Sequence, residues 1–206
     1  MSTLDDWQRL GSGPLGPRYD RALAMAAEHH RAQLRKGSRV PYLSHLLSVS
    51  ALVLEQGGSE DQAIAGLLHD AVEDAPEGRG PAVLADIEAQ FGPAVVAMVA
   101  ACSDNPNDGS GELPWRQRKE AYVATLATKR EDALLVTACD KVHNGSRIAA
   151  DAATYGPEFF TRFAGGRDGL RWYYAACRDA IAARMPGAPV VRQLDRVVED
   201  LGQNSS

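Results

Sequence analysis

Apolar residues recur at three- and four-residue intervals along most of the chain, the spacing that lines one face of an α-helix. Residues 18–35 (RYDRALAMAAEHHRAQLR) are alanine-rich with this period and predict a first helix that stops at Gly37. Pro41 opens a second, over 42–56, which Gly57 and Gly58 close. Ser59 reads as the cap of a third helix over 60–73, with Glu60 and Asp61 favouring its positive N-terminal end. Pro76 and the loop APEGRGP terminate it. Further helices are predicted over 81–90, through FGPAVVAMVAACSD, and over 115–129, 131–150, 170–184 and 190–202. A polar, Gly- and Pro-bearing loop interrupts them at 105–114. Runs of alternating β-branched residues are absent, so the pattern predicts an all-α fold of about nine or ten helices without a sheet. Gly and Pro at 11–17 predict a flexible tail over 1–17, leaving one domain at 18–185 and a C-terminal helix and tail at 186–206.

Composition narrows the function classes. A length of 206 residues suits one domain with a sizeable core. Twenty-two basic against 27 acidic residues give a net charge of −5, which argues against DNA binding, because that runs on clustered Lys and Arg. A small phosphorylated ligand needs only a few local cations and stays compatible. The three cysteines, Cys102, Cys139 and Cys177, are far apart and odd in number, so they read as buried thiols in a reducing compartment. No apolar run approaches the roughly 18–20 residues of a membrane span, and the N-terminus has no basic-then-apolar signal layout. The expected location is the cytoplasm, with no membrane partner.

Three segments carry chemistry. In GLLHDAVEDAP (66–76) an apolar approach delivers His69, Asp70, Glu73 and Asp74 just before a proline break. At about 3.6 residues per turn, His69 would share a face with Glu73, and Asp70 with Asp74. A solvated face would hold as many acids, but the apolar run before them favours a cleft. In ACDKVHN (138–144), Asp140 follows the apolar run ALLVTAC, and a buried carboxylate needs a cation or strong donors. Lys141 or Arg147 would serve, and so would a divalent ion. In RKGSRVPYLSH (35–45), two cations precede a Pro-Tyr helix start with His45 one turn in. A mixed His/Asp set suits Mn²⁺ or Fe²⁺ better than Ca²⁺ or a Cys-rich structural Zn²⁺.

Taken in order, these segments resemble the hydrolase domain of the RelA/SpoT alarmone enzymes, and above all the small alarmone hydrolases. That family's RK…PYxxH pattern meets Arg35, Lys36, Pro41, Tyr42 and His45; HDxxED meets His69, Asp70, Glu73 and Asp74; and DK/R-L-x-N meets Asp140, Lys141, Val142 and Asn144. The resemblance covers roughly residues 18–185 and implies an HD-domain helical fold. It also implies removal of the 3′-diphosphate of (p)ppGpp, releasing pyrophosphate and GDP or GTP, with one Mn²⁺ ion (Fe²⁺, Co²⁺ or Zn²⁺ as substitutes). The implied metal ligands are His45, His69, Asp70 and Asp140. Glu73 and Asp74 would orient and deprotonate the attacking water. Arg35, Lys36, Tyr42 and Asn144 would line the nucleotide pocket, with Arg147 balancing phosphate charge. His30 falls where the family tends to carry a non-ligating histidine and is expected in the core or behind the ligands; His29 and His143 are expected to be exposed or packing.

The chain departs from that pattern at Gly145, Ser146 and Arg147, where the family has an apolar residue and a Thr, and it lacks an expected Lys after Cys102-Ser103-Asp104. Arg167, Arg171, Tyr173 and Tyr174 match the family's Arg/Tyr pair only loosely. These departures keep two alternatives open: an HD phosphohydrolase acting on another nucleotide such as a nucleoside monophosphate, and a non-catalytic nucleotide-binding regulator. The family's bifunctional members carry a synthetase domain, which this chain has no room for, so hydrolysis alone is expected. A toxin synthetase partner, with hydrolysis as the antitoxin activity, is compatible with the same chemistry, as is a homo-oligomer.

Overall fold

The computed structural model describes residues 15–103 and 113–203. Most of the tail expected over 1–17 and of the loop expected over 105–114 lies outside the described residues. Within them the fold is all-α: nine α-helices, one 3₁₀ helix and no strand, with a single isolated bridge between Leu34 and Pro41. The helices are α1 (Pro17–His29), α2 (Leu43–Glu55), α3 (Glu60–Leu68), α4 (Gly80–Phe91), α5 (Pro93–Cys102), α6 (Trp115–Leu126), α7 (Glu131–Tyr155), the 3₁₀ helix (Pro157–Arg162), α8 (Gly166–Arg184) and α9 (Pro189–Gln203). None is long and apolar enough to cross a membrane. The chain divides into two compact units, Met1–Ala100 and Ala101–Ser206.

In the first unit α3 packs on both α2 and α1. Ser59 begins α3 with a reciprocal cap: its hydroxyl accepts from Gln62 N (3.3 Å), and Gln62 Oε1 accepts from Ser59 N (2.9 Å). Leu46, Val49 and Val53 of α2 meet a run from Ala63 to Leu68 that is buried throughout, because this helix is enclosed on more than one side. Gly66 permits the close approach. A Cβ there would lie 3.2 Å from Ser50 Cα and 3.3 Å from Ser50 N. Arg18 ties the first turn of α1 to Asp61 (2.8 Å) and to the Phe91 carbonyl that ends α4 (2.6 Å).

Two helices stop earlier than their periodicity predicts. The segment 18–35 is helical only to His29, because the next residues pair with one another instead. Arg35 N donates to Val40 O and Tyr42 N to Gln33 O, each at 2.9 Å, around a turn at Gly37 with φ of 74°. Helix α3 ends at Leu68 rather than 73. There the His69 ring donates from Nδ1 to Gly66 O (2.9 Å), an acceptor that a continuing helix would give to the Asp70 N–H. The chain goes on to Asp74 in tight turns. Helix α7, by contrast, outruns its expected end at 150 and reaches Tyr155.

In the second unit α7 is the central helix, contacted by α8, α9 and the 3₁₀ helix. Val190, Leu194, Val197 and Leu201 form the buried stripe of α9. Gly145 of α7 faces this stripe: a Cβ there would overlap Val197 Cγ1 and sit 2.8 Å from Tyr174 Cε1. Packing therefore favours a residue without a Cβ at this position. Arg167 at the start of α8 donates to the carbonyls of Leu201 (3.2 Å) and Gly202 (2.7 Å), closing the end of α9. Tyr173 and Tyr174 are buried in the same packing. Cys139 and Cys177 are buried and Cys102 half-buried, and none of the three is in a disulfide.

Candidate metal centre and active site

The end of α3 and the start of α2 bring three side chains of the first unit together. His45 sits on the first turn of α2, its backbone N–H donating to Tyr42 O (2.8 Å), and the residue is 1% exposed. His69 follows α3 and is 4% exposed. The two rings meet edge-on with centroids 5.2 Å apart. Both Nε2 atoms point at one oxygen of Asp70: His69 Nε2 is 3.1 Å and His45 Nε2 3.4 Å from Oδ2. The Tyr42 hydroxyl donates to that same oxygen at 2.6 Å. Ligand atoms of His45, His69 and Asp70 all lie within 4.8 Å of one another.

The donor set fits a divalent cation. Gly66 O can only accept, so His69 Nδ1 carries a proton and Nε2 is the nitrogen turned towards Asp70. Nε2 and a carboxylate oxygen face each other at 3.1 Å, a contact that a proton or a metal ion between them would satisfy. Two imidazole nitrogens with a carboxylate, and no thiolate, form a group able to hold a transition metal of the Mn²⁺–Zn²⁺ range. The carbonyl behind His69 fixes its tautomer and ring direction, as is usual for a ligating histidine.

Around this group the first unit places other residues singled out by sequence. Glu73 and Asp74 lie exposed on the turn after Asp70, and Asp74 N donates to Asp70 O (2.9 Å). Arg35, half-buried, and Lys36, exposed, lie on the paired segment before α2. Tyr42, expected to line the nucleotide pocket, donates its hydroxyl to Asp70. His29 is exposed, while His30 is buried. Gln33 was not anticipated. It bridges His30 Nδ1 (2.6 Å) and Asp74 Oδ2 (2.8 Å), and its only trace in the sequence is a spacing of three from His30.

Asp140, Asn144 and Arg147 belong to α7 in the second unit. Asp140 is 8% exposed, and both its oxygens are held: Oδ2 by Lys141 Nζ (2.8 Å) and Oδ1 by Asn144 Nδ2 (2.6 Å). Burial by itself would depress the Lys141 ammonium, but the Asp140 carboxylate together with the Tyr122, Tyr173 and Cys177 side chains outweighs it and holds the group well above the ordinary lysine value. Of the two cations considered for Asp140, Lys141 is the one that pairs. Lys141 Nζ also lies 4.7 Å from the Tyr122 ring centroid, and burial pushes the Tyr122 hydroxyl above its usual range. Arg147 is exposed and pairs with Asp151 (2.6 Å) along its own helix.

Comparison with known proteins sets these features in a family. The model of the HD domain matches residues 22–169. The chain is 33% identical over 126 residues to the guanosine-3′,5′-bis(diphosphate) 3′-pyrophosphohydrolase MESH1 of Xenopus tropicalis, covering 60% of this chain and 65% of that protein. It is 33% identical over 125 residues to a GTP pyrophosphokinase of Streptomyces coelicolor, covering 61% of this chain but only 14% of that one. Among solved structures, that of a metazoan ortholog of SpoT that hydrolyzes ppGpp and plays a role in starvation responses superposes with a TM-score of 0.70. The superposition takes in 91% of this chain and 97% of the other at 24% identity, a likeness of fold. A match over most of the chain, together with the His and Asp residues that its helices gather, places this protein in the HD domain family.

Proposed function

We infer that this protein is a metal-dependent phosphohydrolase that removes the 3′-diphosphate of a (p)ppGpp-type alarmone, giving pyrophosphate and GDP or GTP. The observation that carries this reading is the convergence of His45, His69 and Asp70 on one point, with Tyr42 holding the shared Asp70 oxygen at 2.6 Å. The printed activity of the MESH1 relative supports the substrate class. So do Arg35, Lys36 and Asn144, whose charges and amide suit a nucleotide diphosphate. Asp140, buried and already oriented by Lys141 and Asn144, is proposed as a fourth ligand, and Mn²⁺ as the resident ion.

When bound, a divalent ion supplies Lewis acidity, polarising a phosphoryl oxygen and acidifying water. The rest falls to the chain. Glu73 would take the proton of the attacking water on its carboxylate, and Asp74 would hold that water in line. Water oxygen bonds to the phosphorus carried on the ribose 3′-oxygen, the P–O3′ bond breaks, and the 3′-oxygen leaves as a hydroxyl after gaining a proton. Arg35 and Lys36 would bind the nucleotide, and Asn144 would lie beside the ribose. Arg147 would have to exchange Asp151 for a phosphate to contribute.

The test is a Mn²⁺-supplemented screen of ppGpp, pppGpp, pApp and ordinary nucleotides with products resolved. Pyrophosphate and GDP from ppGpp are expected. If ppGpp survives while a nucleoside monophosphate loses phosphate, the alarmone assignment is wrong and a general nucleotide phosphohydrolase replaces it.

A further inference from the structure

We propose that His30 and Gln33 are positioning residues for the hydrolytic site: His30 sets the direction of the Gln33 amide, which aims Asp74, while the His30 ring backs Tyr42 and, through it, Asp70. The proposal rests on the hydrolase reading above for what Asp74 and Asp70 are aimed at, though not for the geometry itself.

The hydrogen-bond directions follow from one another. An ionised carboxylate only accepts, so the Gln33 end that meets Asp74 Oδ2 at 2.8 Å is the NH₂ group. The amide oxygen must then face His30, whose Nδ1 lies 2.6 Å away and can only be its donor. His30 is thereby the Nδ1–H tautomer, and the Asp74 carboxylate decides it through the Gln33 amide. Direct contact does not substitute for the amide, because Nδ1 and Asp74 Oδ2 are 3.8 Å apart. Gln33 itself is anchored through its backbone, its N–H donating to His30 O (3.1 Å) and its carbonyl accepting from Tyr42 N (2.9 Å).

The second arm runs through packing. The His30 ring stacks on Tyr42 with centroids 5.2 Å apart and planes 25° from parallel. Tyr42 donates to the Asp70 oxygen that both ligand histidines face. His30 is 2% exposed, and its Nε2 is buried with no hydrogen-bond partner among the described residues. A plain core position would be better filled by Phe or Leu, since an unmatched buried nitrogen is costly. The cost is accounted for if the opposite nitrogen is needed as a donor on a flat ring that also stacks.

Three variants of the full chain separate these roles. Gln33→Met keeps length and removes the amide; His30→Phe keeps the stacked ring and removes the donor; His30→Asn places an amide donor near Nδ1. Gln33→Met and His30→Phe are expected to lower kcat on ppGpp by about ten- to a hundredfold, the scale for residues that orient a metal site from behind, with KM and bound metal unchanged. His30→Asn, which has the donor but not the ring, is expected to recover the part of the turnover that the Gln33 arm carries and not the part that the stacked ring carries. Nitrogen-15 NMR of the metal-stripped chain should show His30 as the Nδ1–H tautomer, and that preference should vanish in Gln33→Met, whose backbone fold is otherwise retained. Full turnover in His30→Phe, full turnover in Gln33→Met, or an Nε2–H tautomer in the wild type would each overturn the proposal. If the wild type turns over no nucleotide, the hydrolase reading fails, and the tautomer of His30 still decides the arrangement.

Discussion

Replacing Gly66 by alanine sets helix propensity against packing at the contact between α3 and α2, which brings His69 close to His45. Alanine is preferred over glycine inside a helix by about 1 kcal/mol, so propensity alone favours the substitution. The new Cβ, however, would stand 3.2 Å from Ser50 Cα and 3.3 Å from Ser50 N, against the roughly 3.5–4.0 Å of an ordinary carbon contact. The opposing atoms are backbone and cannot rotate away, so α2 must retreat by roughly 0.3 Å. Ser50 Oγ also donates to Ala63 O (2.9 Å) and meets Tyr19 Oη (2.8 Å), so the retreat strains α1 as well. Overpacking of this kind costs about 1–3 kcal/mol, which leaves a net loss near 1 kcal/mol after the propensity gain. For a chain of this size that is a fall in Tm of about 2–4 °C. A 0.3 Å shift is within the tolerance of about 0.5 Å for a working site, so metal content should be retained. Thermal melting followed by circular dichroism, with metal analysis of the same samples, reads both. An unchanged or higher Tm for Gly66→Ala would show that α2 and α3 are not held at this distance.

Glu73→Gln, which removes the proton-accepting carboxylate from an exposed position, should leave folding and metal content intact and lower kcat on ppGpp by about 10²-fold or more; a small change in kcat would exclude Glu73 as the base. Gly145→Ala should destabilise the second unit by about 1–3 kcal/mol in urea melts, because its Cβ would collide with Val197 and Tyr174. The thiols should differ in reactivity: Cys102, half-buried, should react with a thiol reagent in the native protein at mild alkaline pH. Cys177, whose thiol burial pushes up to about 11, should react there only after denaturation.

Several of these features are legible in the sequence because their causes are local. The Ser59 cap needs only its own hydroxyl and a partner three residues on. The pairing of His69 with Asp70 stands out because an apolar run delivers it and a proline ends it. What escapes a reading of periodicity depends on partners elsewhere. The end of α1 is set by pairing between residues 33–35 and 40–42, and the end of α3 by an imidazole that takes a backbone acceptor. The role of Gln33 depends on Asp74, 41 residues away, and Gly145 on Val197 in another helix. Cations are legible as charge but not as role: Arg147 is engaged by Asp151 and Arg167 by the end of α9.

The most direct measurement is the equivalents of divalent metal bound per chain, by elemental analysis of folded wild type, His69→Ala, Asp70→Ala and Asp140→Ala. Truncating Asp70 removes the oxygen on which both histidine Nε2 atoms converge, and truncating His69 removes one of those nitrogens. About one equivalent is expected in the wild type, consistent with a single cluster of three to four ligands, and close to none in His69→Ala or Asp70→Ala while each remains helical. A clear loss in Asp140→Ala would add the fourth ligand. Wild-type metal content retained in both His69→Ala and Asp70→Ala would contradict a metal centre at this site.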